Sequence, residues 1–125
     1  MKYIKTYEKA SKPEIGDYVV CNDQTHITED IKTFIDTNVG QIIGYEKYLQ
    51  SGRLSDNPYC IKYENVPKKL SNGLDFDNDK KNAKLIKYEL KPGEAVRYFN
   101  KHEFVYISKD KEELEASLMA KKYNL

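Results

Sequence analysis

The chain has no tryptophan and, in 125 residues, only two cysteines, four prolines and six glycines. Each scarcity removes a class of protein. Cys21 and Cys60 are too few for the disulfide framework of a small secreted scaffold. With no leading apolar segment, both are expected as free thiols. The glycines are dispersed, so no glycine-rich phosphate loop is present. No apolar run approaches the roughly 18 residues that a membrane-spanning helix needs. Residues 1–8 lack the apolar core of a secretory signal, and the expected location is the cytoplasm of the producing or host cell. A charge excess is missing as well. The formal net charge is +1 although 33% of residues are charged, which argues against a protein that holds nucleic acid through phosphates alone. Arginine is confined to Arg53 and Arg97.

What the chain does hold is tyrosine, 11 of them, within a series of short β-branched and aromatic runs separated by turn residues. Tyr18-Val19-Val20-Cys21 follows Gly16-Asp17. A second, longer strand is predicted over 41–49, and Tyr59-Cys60-Ile61-Lys62-Tyr63 forms a third. A further strand is predicted over 85–90, and two more flank the turn Asn100-Lys101-His102. In the third strand, alternation puts Tyr59, Ile61 and Tyr63 on one face and Cys60, Lys62 and Glu64 on the other. Between the first two strands, Thr28 suits an N-cap, and Ile27, Ile31, Phe34 and Ile35 recur at helical spacing. A short helix follows Pro67. From Asp110 the tail reads as a helix, with Asp110 and Glu113 at capping-box spacing. Its apolar stripe is thin (Leu114, Leu118, Met119), so it must dock on its own sheet, a second copy or a partner. One domain is expected, with an arm at 1–15, a β core at 16–107 and the helix at 108–125.

Gly16-Asp17 before the first strand, Val39-Gly40 at the second, the Tyr-x-Ile-x-Tyr strand at 59–63 and the closing segment 97–104 together resemble the SH3-like small barrels. That group includes KOW-type domains and photosystem accessory barrel subunits. The resemblance spans residues 16–107 and departs at 65–94, where a long loop and an extra strand are inserted. It implies a mainly β fold: a small antiparallel barrel of five or six strands with a short loop helix and a C-terminal helix. Its KOW side implies nucleic-acid binding as one function. In general style the chain is also similar to small accessory proteins of phages and large DNA viruses.

Catalytic and metal chemistry find little support. Asp75-x-Asp77-x-Asp79 starts like a calcium loop, but Lys80 and Ile86 stand where glycine and glutamate are required. Cys21, Cys60, His26 and His102 lack the paired spacing of zinc ligands. No serine elbow or catalytic cysteine–histidine motif occurs. No enzyme activity, cofactor or metal is therefore expected. The tyrosines carry the functional expectation. Alternation forces some of them outward, and Tyr18, Tyr45, Tyr48 and Tyr63 on neighbouring strands are candidates for a partner surface. The basic positions Arg53, Lys62, Lys68 and Lys69, with Lys47, lie near them. The first reading is a protein-interaction module, an adaptor or inhibitor acting on a host protein if the source is viral. It could self-associate through the terminal helix. The second is a KOW-like nucleic-acid-binding barrel.

Overall fold

The computed structural model describes residues 5–6, 12–22, 28–48, 51–70 and 90–122. The fold is mainly β with a C-terminal helix. Its strands are β1 (Lys5–Thr6), β2 (Tyr18–Cys21), β3 (Gly40–Tyr45), β4 (Tyr59–Tyr63), β5 (Ala95–Phe99) and β6 (Phe104–Ser108); its helices are α1 (Glu29–Thr37) and α2 (Lys111–Lys122). The strands pair antiparallel in the order β1-β6-β2-β3-β4-β5. Five of them have four to six residues and β1 has two. Among the described residues no ladder joins β1 to β5, so the sheet is open and the expected closed barrel is not formed.

The core gathers on one face of this sheet. Val19, Cys21, Ile42, Tyr59, Ile61, Tyr63, Phe99 and Phe104 pack there under Ile31 and Ile35 of α1. Helix α1 forms where its spacing predicts, and its nine residues run slightly longer than the one or two turns expected. Thr28 caps it by accepting from the Ile31 amide at 3.5 Å, and Glu29 and Asp30 suit the positive end of its dipole. At its other end the Asn38 side chain donates to the Phe34 carbonyl at 2.9 Å. The predicted periodic residue Ile27 lies outside the described residues.

Two irregularities shape the sheet. Along β3, Ile42 faces Ile61 while Gly44 faces Cys60, so Ile43 is an extra residue. Along β6, Tyr106 faces Val20 while Phe104 faces Cys21, so Val105 is extra. Each bulge lets residues three apart share a face that strict alternation would deny them. Ile42 and Tyr45 thus stand opposite Ile61 and Tyr59 on the same face, and Ile107 and Phe104 both face the core.

Glycine matters at two points. Gly16 turns at φ +102° to open β2, and its amide donates to the Ile42 carbonyl at 2.8 Å. At Gly40 a Cβ would collide with the Ile61 side chain and stand 3.0 Å from the Tyr63 ring. A side chain there would push β4 away.

Several expectations are revised. The predicted 41–49 strand runs only from Gly40 to Tyr45, after which a Tyr48–Leu54 bridge carries the hairpin outward. On α2, Glu113 accepts from the Ser108 hydroxyl at 2.8 Å, and Asp110 accepts from the Glu112 amide at 3.0 Å. Helix α2 docks on its own sheet, against β2 and β6, with Leu114 fully buried and Met119 exposed. The 75–79 acidic run, His26 and the 85–89 part of the extra strand lie outside the described residues.

Candidate functional site

Tyr59 begins β4 at the end of the sheet remote from Tyr63, and its ring sits in a row. Phe104 meets it edge-on at 5.2 Å between centroids, and Tyr45 meets it at 4.8 Å with planes tilted by 58°. Both partners reach Tyr59 because of the bulges at Ile43 and Val105. The row runs from the core outward: Phe104 and Tyr59 are buried, whereas Tyr45 keeps 43% of its surface exposed. Next to Tyr45 the hairpin displays Tyr48 and Leu54, 50% and 63% exposed. An aromatic row anchored in the core gives a surface ring little rotational freedom, which lowers the entropy lost on contact.

Beside this row lies a cavity of about 540 Å³, within the size range of small-ligand sites. Lys12 and Pro13 wall it on one side, the 55–58 loop with Tyr45 and Tyr59 on another, and Asn100, Lys101 and His102 on the third. Local hydrogen bonds fix these walls. The Glu46 amide donates to the Pro58 carbonyl at 2.7 Å and the Ser55 amide to the Lys47 carbonyl at 2.9 Å. The Asn57 amide donates to Ser55 Oγ at 3.2 Å. Across the cavity, Asn100 Nδ2 donates to Asn57 Oδ1 at 3.3 Å. The single 3-10 turn Lys101–Glu103 is held by a capping box, with the His102 amide on Asn100 Oδ1 at 2.8 Å and the Asn100 amide on Glu103 Oε1 at 3.1 Å. The Lys12 ammonium stands 5.9 Å from the centre of the Tyr45 ring, and Lys47 stands 5.6 Å from that of Tyr48. Both distances fall within cation–π range.

Ser55, Asp56 and His102 line the same cavity. Ser55 Oγ is engaged by the Asn57 amide, and no hydrogen bond joins His102 to Ser55 or Asp56 among the described residues. A nucleophile–base contact of the kind acyl transfer needs is not assembled. Among the described residues there is also no group of three or more His, Cys, Asp or Glu side chains placed to hold a metal. Cys21 and Cys60 are both free and buried.

The residues singled out from sequence are distributed as follows. Tyr45 and Tyr48 are both exposed along the hairpin, with Arg53 exposed near its tip. Tyr63 is fully buried, with Phe34 edge-on at 5.7 Å, so it packs the core and offers nothing to a partner. Lys62 is also withdrawn: only 8% exposed, it lies 3.4 Å from Glu94 and 3.5 Å from Glu64. Tyr18 is half-buried at the start of β2, beside Gln41 and Ser108. Lys68 and Lys69 are exposed on a helical turn at 68–70 and do not line the cavity. Sequence reasoning missed Lys12, Lys101 and His102 as members of the site. The sequence presents Lys101 and His102 only as turn residues, and His102 as an unsupported zinc ligand, while nothing in it singles out Lys12.

A second cavity of about 670 Å³ lies between the end of α1 and α2, lined by Val39, Leu118 and Met119 with Asp36, Glu115 and Lys121. No described helix is long and apolar enough to cross a membrane.

A mainly β antiparallel sheet with a docked terminal helix and a tyrosine-walled surface cavity is the class of structure defined here. Comparison of the chain with protein families, curated proteins and solved structures finds no match.

Proposed function

We propose that this protein is a non-enzymatic protein-interaction module, an adaptor or inhibitor working in the cytoplasm of the producing or host cell. Its contact surface is the Tyr45–Tyr48–Leu54 side of the β3–β4 hairpin together with the adjoining cavity. The observation that carries this reading is the exposure of Tyr45, Tyr48 and Leu54 along one hairpin, with Tyr45 lining a cavity together with the core-anchored Tyr59 ring. Tyrosine at such a place contributes contact area and a hydroxyl at small entropic cost, as interface centres require. The two bulges, which bend their strands, support reading the sheet as a partly open relative of the SH3-like small barrels.

Affinity capture from nuclease-treated native lysate tests the proposal. Wild-type protein retains a protein partner, and the Tyr45→Ala, Tyr48→Ala double variant loses it while staying folded, with its melting temperature lowered by only a few degrees. Nucleic-acid binding takes first place instead if labelled oligonucleotides bind below micromolar Kd at about 0.15 M ionic strength with a steep salt slope. That outcome would have to be lost on Lys68→Glu, Lys69→Glu, the exposed lysine pair outside the cavity.

A further inference from the structure

The cavity has a chemical bias that the interaction reading does not use. Lys12 and Lys101, from segments far apart in sequence, stand at its rim with a single carboxylate, Asp56, for opposition. Lys12 and Lys101 are both exposed, and no ion pair holds either one among the described residues. A ligand that leaves two such ammonium groups favourably placed carries negative charge. A ligand that also covers Tyr45 carries a flat or apolar group.

We propose that this cavity takes a short acidic peptide segment. One aromatic or apolar side chain lies against the Tyr45 ring, and flanking carboxylates meet Lys12 and Lys101. The inference rests on the interaction reading and names the partner's chemistry. Electrostatic complementarity of this kind sets specificity and association rate more than affinity, while the ring contact supplies the apolar burial. A nucleic-acid strand fits less well. Single-strand binders track a phosphate backbone over several nucleotides along a positive groove. Here two lysines bracket one depression in a chain of net charge +1, and the lysine pair at 68–69 stands outside it.

The test is selection from a displayed library of random peptides, about twelve residues long, on the full chain. Binding of recovered peptides and of labelled oligothymidylate is then measured by fluorescence anisotropy. Recovered peptides are expected to place Asp or Glu on both sides of an aromatic or apolar residue. Lys12→Glu, Lys101→Glu should weaken them by about tenfold or more, and so should raising ionic strength from about 0.05 to about 0.15 M. Lys121→Glu, at the other cavity, should change binding by less than about twofold. Melting curves establish that each variant is folded. Recovery of neutral or basic peptides that need Tyr45 but ignore the lysine reversals would overturn the acidic assignment and leave the interaction reading standing. Recovery of none, or only of peptides indifferent to Tyr45→Ala, would overturn both. Oligothymidylate binding tighter than any peptide, lost on the same reversals, would assign the cavity to nucleic acid and overturn the proposal.

Discussion

The two ends of β4 carry the same buried residue beside different neighbours. Tyr59 and Tyr63 share a face, and each has an aromatic neighbour from another element. At the Tyr63 end, helix α1 lays Phe34 against the ring and Gly40 lets β3 and β4 approach closely, so the tyrosine is sealed. At the Tyr59 end the ring is buried as well, but its neighbour Tyr45, brought across by a bulge, keeps 43% of its surface exposed. Tyr45 stays open beside a cavity with lysines at the rim. The difference teaches that a buried tyrosine ends in the core or carries a surface ring according to the neighbour beside it: Phe34 on α1 at one end, the exposed Tyr45 at the other.

The largest expected effect lies at the sealed end. Tyr63→Ala removes a fully buried ring and should cost about 3–5 kcal/mol of stability, by analogy with other aromatic-to-alanine core changes. Tyr45→Ala should cost about 1 kcal/mol or less, roughly the coupling of one ring pair. Parallel denaturant titrations measure both, and equal losses would erase the distinction between the ends. The face under α2 is a second sealed region. Leu114→Ala should cost about 2–4 kcal/mol because Leu114 is fully buried there. Deleting residues 109–125 should then lower the melting temperature, and an unchanged value would show that the helix docks without stabilising. Gly40→Ala sharpens the comparison from the backbone side. The added Cβ meets Ile61 and Tyr63, so a loss of about 1–3 kcal/mol is expected from overpacking, with Tyr45-dependent binding retained in the folded fraction.

Much of the sealed end was legible in the sequence. Ile31, Phe34 and Ile35 at helical spacing behind Thr28 announced α1, and alternation in 59–63 placed Tyr59, Ile61 and Tyr63 together. Alternation also misled. It supplied tyrosines for the surface without saying which, and Tyr63 went inside because Phe34 covers it. Lys62 points to the opposite face as expected, but Glu94, thirty-two positions later in the chain, draws it in. The open end was harder to read because it depends on register. Ile42 with Tyr45, and Phe104 with Ile107, are apolar pairs three apart inside strands, a spacing that period-two reasoning treats as noise and that a bulge makes meaningful. Lys12 and Lys101 meet only through the folded order of the strands.

The smallest predicted effect concerns pH at the seam between β2 and β6. Lys109 Nζ donates to Asp17 Oδ1 at 2.9 Å. That hydrogen bond, and after it the charge of Asp17, raises the Lys109 pKa above the ordinary lysine value. A pKa raised in the folded state means the contact stabilises fully below the unfolded lysine value of about 10.4 and is lost as pH rises through the higher folded value. Lys109→Ala should therefore be slightly less stable than wild type at neutral pH and indistinguishable from it in strong alkali. A gap that widened with pH would reverse the assignment. The group is exposed, so the gap should be small and should shrink further in salt.

Hydrogen–deuterium exchange on the purified complex with the captured partner tests the central claim most directly. The account predicts partner-induced protection at 45–48, 54–59 and 100–102, around the open tyrosine row, with exchange at 36–39 and 115–121 unchanged. Protection confined to the α1–α2 cavity, with the tyrosine row exchanging as in the free protein, would contradict it.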